Sequence, residues 1–282
     1  MYAPPIPAAD DPLVPAAMRA DGGVRLRFER RGERTLRMEL AESGGYRARF
    51  PQTFDNSCEA VLINTGGGMA GGDRMRVTVE AGEGSHAVVT TQAAEKIYRS
   101  QGFDTAIETR LAAAEGANLA WLPQESILFS GSRLRRRLEI DLAEGARLVA
   151  CESTVFGRSA MGERLERGSL RDRWRVRRAG RLVFADDVRL EGPVDTLLAR
   201  PAIGGGAQGA ATLLMIGPEL AGHRDAIREI LAQHDDVEGG AGIVSDCLVV
   251  RLVSLRAEAL RRVLVMLLGQ VTGRALPRTW SS

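Results

Sequence analysis

The strongest constraint on this chain is a repeat. Three times in its middle an alternating segment runs into a Glu-Gly pair and leaves it as a second such segment. The pairs are Glu83-Gly84, Glu115-Gly116 and Glu144-Gly145, so the glycines stand 32 and 29 residues apart. Alternating segments at 75–81, 106–112 and 137–142 precede them, and others at 86–91, 118–122 and 147–154 follow. Glycine at a fixed place between two strands supplies the positive φ of a tight turn without steric cost. A β period of about 30 residues reads as units that each bury a face on the next. Two arrangements satisfy it: stacked antiparallel hairpins in a solenoid-like body, or an antiparallel β-sandwich whose hairpins merely look alike. Either way the fold is mainly β.

The flanks differ from this body. Residues 1–20 carry five prolines among alanines and read as a flexible arm. The β-rich body spans 21–203, opening with Val24, Leu26 and Phe28 in alternation with charged residues. After the glycine connector at 204–209, residues 204–282 read as a small α/β part packed on the body. Its expected order is strand, helix, strand at 243–253, then a last helix from about 256 to 271. That helix carries Leu260, Val263, Leu264, Leu267 and Leu268 on one side.

Composition excludes several functions. A net charge of +2 is too balanced for an electrostatic nucleic-acid binder. Thirty-seven of the thirty-eight basic residues are arginine, Lys96 being the exception, so arginine runs reflect bias before they reflect function. In 171–178, Arg171, Arg173, Arg175 and Arg177 share one strand face with Trp174 and Val176 on the other, a solvated face above a core face. The run at 134–138 receives the same reading. The start of the chain lacks the basic and apolar regions of a signal peptide, and no apolar run suits a membrane span, so a cytoplasmic location is expected. Cys58, Cys151 and Cys247 are far apart and read as reduced, buried thiols. His86, His223 and His234 are equally scattered, so a built-in His/Cys metal site is not expected.

Catalytic and nucleotide motifs fail in context. Gly66, Gly68 and Gly71 match G-x-G-x-x-G, as do Gly204, Gly206 and Gly209, but each runs into a strand where a dinucleotide site needs a helix. Ser126 and Ser153 lack a nucleophile elbow, and Cys151 has no neighbouring histidine. A hydrolase using paired carboxylates stays open, as does a metal-free interaction module.

Four polar clusters beside glycine turns remain. They are an N-x-x-G-G-x-x-G-G-D-R turn at 64–74, a T-T-Q-A-A-x-K-x-Y-R run at 90–99, a W-L-P-Q-E segment at 121–125 and a G-R-x-A-x-G-E run at 157–163. Their residues include Asn64, Gly68, Gly72 and Arg74; Gln92, Lys96, Tyr98 and Arg99; Trp121 and Gln124; and Gly162. The last three clusters take equivalent places in the repeat. Stacking is therefore expected to gather Gln92, Gln124, Glu125 and Glu163 along one edge.

In their order these clusters resemble the urease accessory proteins of the UreD/UreH family, from about residue 26 to the terminal 276–280. The resemblance implies a mostly β, non-enzymatic scaffold that helps insert nickel into apo-urease. It implies the accessory proteins UreF and UreG and the urease apoprotein as partners, and an internal passage for the metal. No tightly bound cofactor is expected, only transient Ni(II). Oxygen ligands bind nickel weakly beside imidazole or thiolate, which suits transfer. Asp73, Glu125 and Glu163 are the candidate transit carboxylates, with a structural alternative in which each caps a turn or pairs with Arg74, Arg99 or Arg164. Lys96, the one retained lysine, is expected to be partly buried and paired near Gln92 and Tyr98.

Overall fold

A computed structural model describes residues 19–158 and 161–281, so most of the 1–20 arm lies outside the described residues. The chain enters with β1 (Asp21–Arg31), β2 (Arg34–Ser43), β3 (Tyr46–Arg49) and β4 (Cys58–Asn64). Two coils follow: β5 (Arg74–Ala81), β6 (His86–Thr91) and β7 (Glu95–Ile97), then β8 (Thr105–Ala113), β9 (Asn118–Leu122) and β10 (Ser126–Leu128). A third comprises β11 (Arg133–Leu142) and the longer β12 (Arg147–Phe156), and the hairpin of β13 (Gly168–Arg178) and β14 (Arg181–Gly192) ends the series. After α1 (Val194–Leu198) come β15 (Gly209–Ile216), α2 (Leu220–Leu231), β16 (Glu238–Val244), β17 (Cys247–Ser254) and α3 (Ala257–Thr272).

The strands form two sheets. One has the order β14-β13-β11-β8-β5-β1-β2, the other β16-β17-β15-β12-β9-β6-β4-β3. The two strands around each Glu-Gly pair lie in different sheets, so they do not form the expected antiparallel hairpins. Each strand instead pairs in parallel with its equivalent one coil away: β5 with β8, β8 with β11, β6 with β9 and β9 with β12. Of the two sequence-based arrangements the solenoid-like body is the one observed. Hairpin and arch share the same turn signal, because alternation and glycine fix the bend but not the pairing partner.

Parallel register stacks like on like. Val77 meets Thr109, which meets Leu138, which meets Trp174, and Val79, Leu111, Ile140 and Val176 form the next inward rung. All eight are at most 2% exposed. The turns stack too. Ser85, Ala117 and Ala146 each donate a backbone N–H to the carbonyl three residues earlier, and the Gly84 amide donates to the Glu115 carbonyl of the next coil at 2.9 Å. Gly84 and Gly116 have φ of +61° and +66°, which explains the glycine there. At Gly145 the requirement differs: its amide donates to Glu115 Oε2 at 3.0 Å, and a Cβ would fall 1.9 Å from Glu115 Oε1.

Residues 204–282 join the body through its second sheet, β15 pairing antiparallel with β12. The single strand expected at 243–253 is two strands. Ser245 and Asp246, at φ +47° and +62°, turn β16 into β17. Positive φ at both central positions is the geometry that Asn-Gly announces, and Ser-Asp does not. One core fills the space between the sheets, and a second lies between the outer face of the long sheet and the helices. Leu260, Val263, Leu264, Leu267 and Leu268 of α3 are buried in the latter as their spacing predicts. No helix is long and apolar enough to cross a membrane among the described residues.

Candidate functional site

The Glu-Gly turns occupy one edge of the coils, and all four polar clusters occupy the other. The short strands organise that edge: Met69 bridges to Ile97, Ile97 pairs with Leu128, and Leu128 with Phe156. These four apolar side chains anchor the edge inward, and polar neighbours line up outside it.

The outer row is a chain of contacts through all the clusters. Gly68, at φ +154°, lies flat against Tyr98, and a Cβ there would sit 2.4 Å from Tyr98 Cε2. Tyr98 donates its hydroxyl to the Gly67 carbonyl at 3.0 Å and packs edge-on against Phe129, centroids 5.1 Å apart. The Arg158 guanidinium lies 4.5 Å over the Phe129 ring and is ion-paired with Glu163. Glu163 Oε1 also accepts the Ser130 amide at 3.2 Å. Arg99 packs beside Gly131, where a Cβ would meet its Cγ at 2.9 Å. Gly72, at φ +96°, makes room for the Arg19 side chain, and Gly162 takes φ +70° in open space.

Each carboxylate singled out from the sequence has a partner, though not the expected arginine. Asp73 is buried and caps the entry turn: Oδ1 accepts the Ala20 amide at 2.8 Å and Oδ2 the Ala70 amide at 2.7 Å. Glu125 pairs with Arg261 of α3 at 2.9 Å, and Gln124 Oε1 accepts from the same Nη1 at 2.6 Å. Glu163 pairs with Arg158 rather than Arg164, which is exposed. Gln124, Glu125 and Glu163 thus stand on the shared edge, while Gln92 is exposed at a rim and Arg74 faces solvent. Lys96 is a correction: its side chain is exposed, not buried and paired, because it alternates with the inward Ile97 on a three-residue strand.

Two groups of functional-grade residues escaped sequence reasoning. The first is an interior ion cluster. Arg136, 3% exposed, holds Asp172 through two bonds of 2.6 and 3.1 Å and Glu152 at 2.7 Å. Ser126 and Thr154 also accept from it, and Trp121 donates Nε1–H to Glu152 at 3.0 Å. Burial opposes the charge on Arg136, but Asp172 and Glu152 outweigh it and keep the guanidinium protonated. Burial pushes Glu152 up, partly offset by Arg136. The bland reading of 134–138 therefore fails at Arg136, which shares the inward face of Leu134 and Leu138. That parity was the available signal.

The second group is Tyr46 and Glu95, which gather beside Asn64 of the first cluster. Asn64 Nδ2 donates to Glu95 Oε1 at 2.9 Å and to the Gly68 carbonyl at 3.2 Å. Burial raises Glu95 to about 7, with Asn64 pulling it down and Asp73 pushing it up. The hydroxyl of Tyr46, 2% exposed, has no hydrogen-bond partner among the described residues. These side chains line a cavity of about 230 Å³. A larger concavity of about 960 Å³ counts His86, His223, Asp55, Glu59 and the exposed Phe54 among its lining residues. Burial, then Arg274, lowers His86. Among the described residues no group of three or more His, Cys, Asp or Glu is placed to hold a metal ion.

The geometry defines a class: a parallel β-solenoid whose sequence-encoded chemistry is a stacked polar and aromatic edge. The family is shown by comparison. The chain matches the family described as UreD urease accessory protein over residues 20–281 and belongs to it. It is 45% identical to urease accessory protein UreD 3 of Bradyrhizobium sp. strain BTAi1, across 99% of each chain. It is likewise 45% identical to the UreD of Rhodopseudomonas palustris strain HaA2 over 97% of each. The UreD of Methylobacterium sp. strain 4-46 is 44% identical, with 96% of this chain and 98% of that protein covered.

Proposed function

We propose that this chain serves urease maturation as a non-catalytic scaffold on which nickel is inserted into apo-urease. Membership in the UreD family carries the reading, and the edge on which its motifs stack gives it a physical site. Arg158 and Lys96 are exposed along that edge and Tyr98 and Phe129 are half-buried, a surface suited to protein contacts. Urease apoprotein, UreF and UreG are the partners of this reading. A cytoplasmic location fits an assembly of that kind. Nickel is cargo here and not a resident cofactor. Asp73, Glu125 and Glu163 already hold backbone amides or arginines, so in this reading they shape the edge first and meet nickel only in passing. The paired-carboxylate alternative loses ground to the interior geometry: Glu152 and Asp172 are both bound to Arg136, not opened to a cleft.

The test is urease activation in a strain deleted for this gene. Complementation by the chain restores nickel-loaded urease if the reading holds. Full activation without the chain rejects it.

A further inference from the structure

On the outer face of the seven-stranded sheet, charges of opposite sign meet across strands except in one patch. Arg76 is in register with Glu108 and Glu108 with Arg137. Arg110 is in register with Glu139, its ion-pair partner at 3.5 Å, and Glu139 with Arg175. Across β11, β13 and β14 like meets like. Arg135 stands opposite Arg171 and Arg171 opposite Arg189, while on the next rung Arg137 stands opposite Arg173. Neighbouring strands are about 4.8 Å apart, and like charges directly opposite destabilise a sheet. Few carboxylates relieve the row. Glu191 serves Arg189 at 2.5 Å and Arg171 only at 3.5 Å, and Asp187 lies 4.0 Å from Arg173 and 3.3 Å from Arg175. Arg135 and Arg137 form no ion pair within 4.0 Å among the described residues, and Arg171 Nε is buried there without a hydrogen-bond partner. The chain uses arginine at nearly every basic position, so the number of arginines decides nothing and their adjacency does.

We propose that this arginine face of β11, β13 and β14 docks an extended acidic segment of a partner protein, with carboxylates at alternate residues. Arg135 and Arg137, like Arg171 and Arg173, stand two residues apart on one strand, hence on one face and about 6.6 Å apart. An extended segment spaces its alternate side chains by the same distance, so Glu or Asp at every second residue matches the row. Guanidinium forks take carboxylates through paired N–H donors, and such a segment supplies the acceptors that Arg135 and Arg137 lack. It also removes the like-charge repulsion between the strands. A nucleic acid is the poorer fit. Single strands bind through exposed aromatic rings as well as charge, and the two aromatic residues of these strands, Trp174 and Phe184, are only 1% and 9% exposed. A net charge of +2 over the whole chain supplies no long-range field for a polyanion. The surface lies on the sheet opposite the one against which α2 and α3 pack, and it stands independently of the urease-maturation reading.

A fluorescein-labelled peptide of alternating glutamate and threonine, titrated against the full-length chain and followed by fluorescence anisotropy, tests it. Saturable binding is expected, weakening as salt rises. Arg135→Gln/Arg137→Gln leaves the pairs of Glu191 and Asp187 in place and should weaken binding about tenfold. Arg25→Gln/Arg34→Gln removes the same charge from β1 and β2, at the far end of the same sheet, and should change affinity less than about twofold. Circular dichroism should be unchanged in both. Equal weakening by the two variants means that net charge and not this face binds the peptide, and overturns the site. Absence of saturable peptide binding overturns the whole proposal. A thymidine oligonucleotide of equal charge that binds as tightly as the peptide overturns the assignment to an acidic polypeptide. Urease activation is read separately, so failure of this surface and failure of the maturation reading are distinguishable.

Discussion

At the scale of single residues, two carboxylates separate structural work from titration. Asp73 accepts two backbone amides that no other group serves, one with each oxygen. Asp73→Asn keeps the shape but replaces one acceptor with a donor, leaving a buried N–H unpaired at about 1–3 kcal/mol. Urea denaturation should show that loss whether or not nickel is present. Unchanged stability would mean the capping role is wrong. Glu95 behaves differently. Its folded pKa, about 7, lies above the ordinary 4.5 because burial disfavours its charge. A group that binds its proton more tightly when folded contributes its full stability below about pH 4.5, and that contribution is lost as pH rises through about 7. Glu95→Gln preserves the Asn64 bond and cannot titrate. The wild type should therefore lose up to about 3 kcal/mol relative to the variant between pH 4.5 and pH 8. Parallel stability curves across that range would contradict the buried position. Nothing in the sequence singles out Glu95, which fills a variable place in its motif, or Tyr46, which stands outside all four clusters.

Among the elements, glycines distinguish a turn that needs a conformation from one that needs a gap. Gly116 has φ +66° with no atom closer than 3.8 Å to a built Cβ, so Gly116→Ala should cost about 1 kcal/mol of backbone strain. Gly68→Ala must also drive the Tyr98 ring off its contact with Phe129, and about 2 kcal/mol or more is expected. Denaturation midpoints of the two variants should rank in that order, and reversal would mean the Tyr98 contact is slack. The coil repeat was legible from alternation and Glu-Gly spacing alone, down to the strands at 75–81 and 86–91. Pairing was not, since β5 and β6 read as a hairpin or an arch equally well. The edge was legible because Gln124, Glu125 and Glu163 recur at one phase of the repeat. The partners of those side chains were not, since Arg261 comes from α3, well over a hundred residues away from Glu125.

For the whole molecule, the interior ion cluster ties the two sheets together. Arg136 and Asp172 lie on β11 and β13 of one sheet, while Glu152 and Thr154 lie on β12 of the other. Arg136→Met strands the buried Glu152 and the largely buried Asp172 and should cost about 3–5 kcal/mol. Replacing Glu152 and Asp172 by Gln and Asn in the same chain should recover part of that loss, and no recovery would mean the methionine itself is misfitted. The apolar stripe of α3 is covered by the long sheet, so it gives the isolated chain no reason to aggregate. Exposure instead concentrates at Phe54, 93% accessible, and Met161, 75% accessible, both beside concavities. The central claim concerns what the assembled edge is for. Its most direct measurement is the nickel content and activity of urease purified from the deletion strain, carrying either the wild-type gene or an Arg158→Glu/Tyr98→Ala variant that still folds. Wild type should restore both, and the edge variant should leave urease largely nickel-free. Equal nickel loading by the two would contradict the account.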